Sequence, residues 1–387
     1  MIKILQEQNI EDAIALSEYA FQYKLSDERK EKIIEKLKRQ TIIGDFEGDQ
    51  LIAKLHMINF EVFFKGEKWK MGGVAGVATW PEQRRKKKVK QLIQESLCML
   101  KERNIPISFL HPFQVSFYRR FGWELFSEFQ MIEIPVQDLH LITHHDVGSI
   151  KRVTIEHLEE IKRVYEQYAS TFNGMLVRND DWWKDSVISD LNMVGYFNKQ
   201  GELLGYILYK IENKELQVEE FVSLTSDAKI GIWNFVCQHD SMVTKVKLRM
   251  NPHDHFPFMI ANPKVKTEVE PYFMGRIVDV ASFFSQYTFH TLDEPFFIHI
   301  KDPFAKWNEG TLAIKDGVNT FYPLKENQSC FPKRGITIEI GPLTALLLGY
   351  KTAKQLHEIG MITGDKKAVD SLDKLIPRNC SFFYDFF

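Results

Sequence analysis

Across residues 72–103 an apolar run gives way to a block of cations and then to a helical pattern, and this succession restricts the possible folds more than any other stretch. Residues 74–79, Val-Ala-Gly-Val-Ala-Thr, read as a strand that stops before Pro81. Gln-Arg-Arg-Lys-Lys-Lys-Val-Lys follows, and Val89, Leu92, Ile93, Ser96, Leu97 and Leu100 then recur at the three-and-four spacing of one helix face. The cations therefore gather where a strand hands over to a helix start. Free backbone N–H groups and the positive end of the helix dipole favour an anion there, and Arg84, Arg85 and the lysines add formal charge. The pattern predicts a phosphate-bearing cofactor, and the alternative open to the same residues is a solvated charge run.

The rest of the chain narrows the partners. With 387 residues, two or three domains are expected, and 44% hydrophobic with 26% charged residues is ordinary for soluble globular protein. A net charge of −2 gives no global basic field, so nucleic acid is not an expected partner and anion binding must be local. The amino end lacks the apolar core of a signal peptide, and the apolar run 343–348 is far too short to span a bilayer, so no membrane partner is expected. Cysteines 98, 237, 330 and 380 are widely spaced without a Cys-x-x-Cys pair, which fits reduced thiols and a cytoplasmic location.

The pattern divides into three segments, 1–150, 151–287 and 288–387. The first carries helical patterns at 11–23 and 27–39, strands at 42–46, 51–64 and 70–79, a helix at 87–103, a strand at 107–110 and another from Trp123. A polar stretch over 140–148 reads as a linker. The second segment repeats that order without residue-level repetition: a helix at 156–170, strands at 193–198, 203–211 and 215–223, a helix from 226 and a strand at 244–250. In the third, strands at 296–300 and 310–314 precede helices at 342–358 and 366–375.

Joined to Leu110-His111-Pro112-Phe113-Gln114-Val115-Ser116-Phe117-Tyr118-Arg119-Arg120-Phe121-Gly122-Trp123, the strand, basic turn and helix resemble those of GNAT-superfamily N-acetyltransferases. The order of segments resembles the Eis (enhanced intracellular survival) branch, over nearly the whole chain. The resemblance implies an α+β fold: two tandem GNAT-like mixed α/β domains, the second degenerate, then a sterol-carrier-protein-like α/β domain. It also implies acetyl-CoA as co-substrate. By position, the backbone of Val77, Ala78 and Thr79 would hold the pantetheine arm. Arg84, Arg85 and the backbone of Lys86, Lys87, Lys88 and Val89 would hold the pyrophosphate, with Ser116 also in the cofactor set. The family turn reads Arg-Arg-x-Gly-x-Gly/Ala, and here Lys87 stands at the first glycine and Val89 at the second small position. Glycine lets a pyrophosphate approach the backbone closely, whereas a lysine can lie outward and still offer its N–H. An impaired turn would leave a non-catalytic acyl-CoA or lipid-binding relative, the alternative to an enzyme.

Acetyl transfer from a thioester to an amine needs a base for the amine, donors for the oxyanion and an acid for the departing thiolate. The resemblance assigns the acid to Tyr118. The base is sought at the other end, where Phe382, Phe383, Tyr384, Phe386 and Phe387 would leave five rings in water if the tail were frayed. A packed tail must find a polar setting for its carboxylate. The resemblance implies that this carboxylate, on Phe387, reaches the first domain's active site and acts there through water. It further implies a polyamine, aminoglycoside or lysine-type amine as substrate and a ring-like homo-oligomer, a hexamer. Glu18 and Asp385 are candidates for holding a substrate ammonium, with Phe386 beside the terminus. No metal is expected at His253 and His255 or at His144, His145 and Asp146, which lack partner ligands at helical spacing. The second segment's counterpart of the basic turn, 223–231, has no arginine and is expected to bind no CoA.

Overall fold

The computed structural model describes residues 1–143, 148–325, 332 and 334–387; His144, His145 and Asp146, where no metal is expected, and Cys330 lie outside them. The first unit runs β1 (Ile2–Ile4), α1 (Ile10–Phe21), α2 (Asp27–Lys38), β2 (Thr41–Glu47), β3 (Gln50–Phe64), β4 (Glu67–Thr79), α3 (Lys88–Glu102), β5 (Ile107–Leu110), α4 (Val115–Arg119) and β6 (Glu124–Leu125). β2, β3 and β4 form an antiparallel meander, and β5 joins β4 in parallel. Parallel neighbours need a long crossover, which α3 supplies. Its apolar stripe, Leu92, Ile93, Leu97 and Leu100, is buried in one core with Leu55, Val74 and Trp123.

The next strand, β7 (Glu128–Pro135), opens a second sheet that continues with 149–152, 192–197, 203–212, 215–223, 245–250 and 266–271. Three antiparallel strands, the helix 226–237 and a parallel strand at 245–250 repeat the plan of the first unit. The third unit is a five-stranded sheet with helices at 340–347, 353–358 and 366–375.

Strands cross the segment boundaries drawn from sequence. β7, numbered within 1–150, pairs with 245–250 and 266–271, while Met274–Ile277 returns to the first sheet between β5 and β6. Arg276 of this returning strand is fully buried, donates to the Phe121 carbonyl and pairs with Asp302 of the third unit at 2.6 Å. It thereby ties α4 to both later units. The single helix expected over 342–358 is two helices. The first closes where Tyr350 N–H donates back to the Ala345 carbonyl, and Thr352 caps the second in a reciprocal pair with Gln355.

Candidate active site

A cleft opens where β4 and β5 part. The two strands pair only at Met71, Gly72 and Gly73 with Ile107, Ser108 and Phe109. Beyond that rung β4 bends away, because its register with β3 shifts between Lys54 and His56 and Gly76 takes φ +55°. Such a bulge re-aims a strand, and the left-handed geometry suits a glycine. Val77, Ala78 and Thr79 consequently line a cleft of about 1010 Å³, which continues along the basic turn, α4 and Pro303 and Phe304 of the third unit.

The turn is built for an anion. After a single helical turn at Pro81–Gln83, Arg85 (φ +64°) and Lys87 (φ +61°) are left-handed, and Lys87 caps α3 without a side-chain cap bond. Alternating handedness turns successive N–H groups inward, and the first N–H groups of α3 have no helical partner. Arg84, Arg85, Lys87, Lys88, Lys90 and Arg120 line the cleft. Lys88 is engaged by Asp45 at 3.0 Å, whereas the other five cations make no ion pair among the described residues. Lys87 thus keeps the left-handed backbone a glycine would adopt and is itself part of the cleft lining. These features fit the phosphates and pantetheine arm of a CoA thioester: a charged turn with free donors, then an apolar strand edge.

Tyr118 is buried on α4, its ring against Phe113 and Phe117 at 5.6 and 5.1 Å, and both of those residues line the cleft. Its hydroxyl has no hydrogen-bond partner among the described residues, and burial pushes its pKa well above the usual phenol value. Phe387 approaches the same region from the far end of the chain. Its ring packs at an angle against Phe60 (4.9 Å) and edge-on to Phe273 (5.0 Å) and covers Gly73, where a Cβ would lie 2.8 Å from Phe387 Cε2. Gly73 is the last residue of β4 to pair with β5, so the ring sits at the fork itself. Phe386 is exposed, with its ring 5.0 Å from His111. Burial and nearby Arg249 lower the pKa of His111.

Neither Tyr118 nor Phe387 is itself among the residues that line the cleft, and Ser116, Glu18 and Asp385 are placed elsewhere. Ser116 is exposed on α4 and does not line the cleft; the Lys86 side chain is exposed and donates to Gln83, which leaves its backbone N–H uncommitted by that bond. Glu18 closes the turn after α1, accepting from Leu25 N–H at 2.9 Å and Lys24 Nζ at 3.2 Å; those bonds lower its pKa and commit its charge. Asp385 is buried, with Oδ1 accepting from Arg178 Nε (2.9 Å) and Trp182 Nε1 (2.7 Å). Each carboxylate already serves a donor of the protein. Sequence reasoning missed Arg120, Pro303 and Phe304 in the cleft wall; Arg120 was within the quoted motif, but nothing in the sequence brings 303–304 to the first unit. Among the described residues no group of three or more His, Cys, Asp and Glu side chains gathers to hold a metal, and no helix is long and apolar enough to cross a membrane.

Comparison with known proteins agrees with this geometry. An acetyltransferase (GNAT) domain model matches residues 1–126, a second acetyltransferase (GNAT) domain model matches 174–277, and a sterol carrier protein domain model matches 280–384. An uncharacterized N-acetyltransferase of Streptomyces avermitilis is 20% identical over 376 residues, covering 87% of this chain and 85% of its own. The crystal structure of a conserved protein of unknown function from Enterococcus faecalis V583, a probable N-acyltransferase, superposes with a TM-score of 0.91 at 26% identity, over 100% of this chain and 99% of the other. Eis1 from Mycobacterium abscessus shares the fold with a TM-score of 0.83 at 18% identity, over 100% of both chains.

Proposed function

From the premise that this chain is a GNAT-superfamily N-acetyltransferase of Eis-like architecture, using acetyl-CoA, we infer that it acetylates a primary amine at the fork between β4 and β5. Bound acetyl-CoA supplies the acetyl thioester. The backbone of Val77, Ala78 and Thr79 orients the acyl arm, and Arg84, Arg85 and the N–H groups from Lys86 to Val89 hold its phosphates. Tyr118 is the general acid. Its hydroxyl is protonated at neutral pH like any phenol and has no other partner among the described residues, so it is available to give its proton to a thiolate. The terminal carboxylate of Phe387 is the base, drawing the amine proton through water.

The observation that carries this reading is the seat of the Phe387 ring on Gly73, where the two strands part. We place the acceptor among polyamines, aminoglycosides or lysine side chains, with Phe386 at its entrance. A hexameric assembly belongs to the same proposal, and sedimentation of the purified protein at six chains per particle is its check.

The test is amine-dependent thiol release across a panel of these acceptors, in the wild type and in Tyr118→Phe. We expect release only with amine present, and kcat lower by about 10²-fold in the variant with acetyl-CoA affinity unchanged, the scale of a lost general acid. Equal turnover in both proteins would remove Tyr118 from its role.

A further inference from the structure

We propose that Arg178, which belongs to the second unit, is a positioning residue for the first unit's chemistry: by holding Asp385 it sets where the chain's terminal carboxylate stands. The proposal rests on the reading of Phe387 as base.

Arg178 is 2% exposed at its side chain and faces two carboxylates. Its Nη1 and Nη2 donate to Glu220 at 3.0 and 2.7 Å, and its Nε donates to Asp385 at 2.9 Å. Tyr206 OH donates to Glu220, and Trp182 Nε1 completes the hold on Asp385 Oδ1 at 2.7 Å. The Asp385 backbone is fixed as well, its carbonyl accepting from Tyr272 OH at 2.8 Å. One residue earlier, the Tyr384 hydroxyl lies 3.2 Å from the Phe221 carbonyl and 3.5 Å from that of Arg249. Those carbonyls belong to the second unit's own parallel strands, 215–223 and 245–250, past the last rung at Val218 and Leu248. Tyr384 of the tail thus fills the second unit's fork, while in the first unit the cleft along Val77–Thr79 stays open beyond the rung that the Phe387 ring covers.

Two residues after Asp385 the chain ends. An extended chain advances about 3.5 Å per residue, so a fixed Asp385 confines the terminus to a radius of about 7 Å. A reacting group displaced by about 1 Å can lose about 10²-fold in rate. A buried guanidinium shared by two carboxylates is poor value as stability and better understood as fixing one arrangement. Its substituents here are the scaffold, through Glu220, and the tail, through Asp385.

The charge balance supplies a variant that should fold. Asp385→Ala leaves Arg178 in a balanced pair with Glu220, whereas removal of Arg178 would strand two buried carboxylates. The experiment compares wild type, Asp385→Ala, Asp385→Asn and Asp385→Ala in a chain with one glycine appended after Phe387. It reads kcat and amine KM by thiol release, acetyl-CoA Kd by calorimetry, and the thermal midpoint. We expect Asp385→Ala to lower kcat at least tenfold with acetyl-CoA Kd unchanged. Asp385→Asn, which keeps the oxygen that Arg178 and Trp182 address, should recover most of that loss. In the extended chain Asp385→Ala should have no further effect, because the carboxylate it places has already been displaced. Wild-type kcat in Asp385→Ala, or an equal fall in both backgrounds, overturns the proposal and leaves the cluster as fold support. An appended glycine that by itself leaves kcat unchanged overturns the base assignment, and the proposal with it.

Discussion

Lys54 is fully buried in β3 with no carboxylate beside it; its Nζ lies 2.6 Å from His56 Nε2 and 3.2 Å from the Gly76 carbonyl at the bulge. Burial pushes its pKa down to about 7 from 10.5, and burial together with Lys54 holds His56 well below the imidazole range. The folded protein therefore binds fewer protons than the unfolded chain between about pH 7 and 10.5, so this group's penalty is full below 7 and disappears as pH rises through the window. The slope is about 1.4 kcal/mol per pH unit. Lys54→Met should be more stable than wild type near pH 7, by a margin that shrinks toward pH 10; thermal midpoints across that range check it, and a pH-independent margin would tell against a buried neutral amine. Lys87 offers a second residue-scale test. Its left-handed φ of +61° costs an L-residue about 1–2 kcal/mol, so Lys87→Gly should raise stability by roughly 1 kcal/mol and bind acetyl-CoA at least as tightly, as denaturation and calorimetry would show. At this scale the cationic turn was legible as a charged strand-to-helix junction, because its pattern is local in sequence, whereas the acid role of Tyr118 rests on the resemblance and on the proposal above. The donors seated on Glu18 and Asp385 were not legible, because a sequence gives a carboxylate's charge but not its partner.

The elements whose pattern is local were also readable: α3 from its apolar stripe, β5 from its ends at Ile107 and Leu110, and the helix 366–375. The strands 266–271 and 274–277 were not, since each is a short strand paired with residues more than a hundred positions earlier, and the second interrupts the first sheet. Likewise the break in 342–358 comes from a backbone return at Tyr350 and a fresh cap at Thr352, which an unbroken apolar pattern conceals. The inserted strand has an energetic signature. Arg276 and Asp302 are 0% and 1% exposed, and breaking a buried pair by deleting one partner costs about 3–5 kcal/mol. Arg276→Ala should accordingly lower the thermal midpoint by several degrees and, by freeing the Phe121 carbonyl, loosen α4. Proteolysis near 115–122 would register that loosening, and an unchanged midpoint would mean the pair is dispensable.

At the scale of the molecule, one tail joins three units. Cys380–Ser381 pairs with Phe172–Asn173 of the second unit, Tyr384 closes that unit's fork, and Phe387 ends on β4 of the first. Five aromatic residues in the last six positions made a packed tail legible, but its route depends on Arg178, which nothing in the sequence links to Asp385. Two copies of one plan carry a single cationic turn, and in the copy whose turn, 223–231, has no arginine the strand fork is filled by Tyr384. The most direct measurement is calorimetric titration of acetyl-CoA into the wild type and into Arg84→Ala/Arg85→Ala. One site per chain, weakened at least tenfold in the double variant, is the expected result. Two sites per chain, or binding indifferent to the two arginines, would mean that the cleft between β4 and β5 is not where the thioester is held.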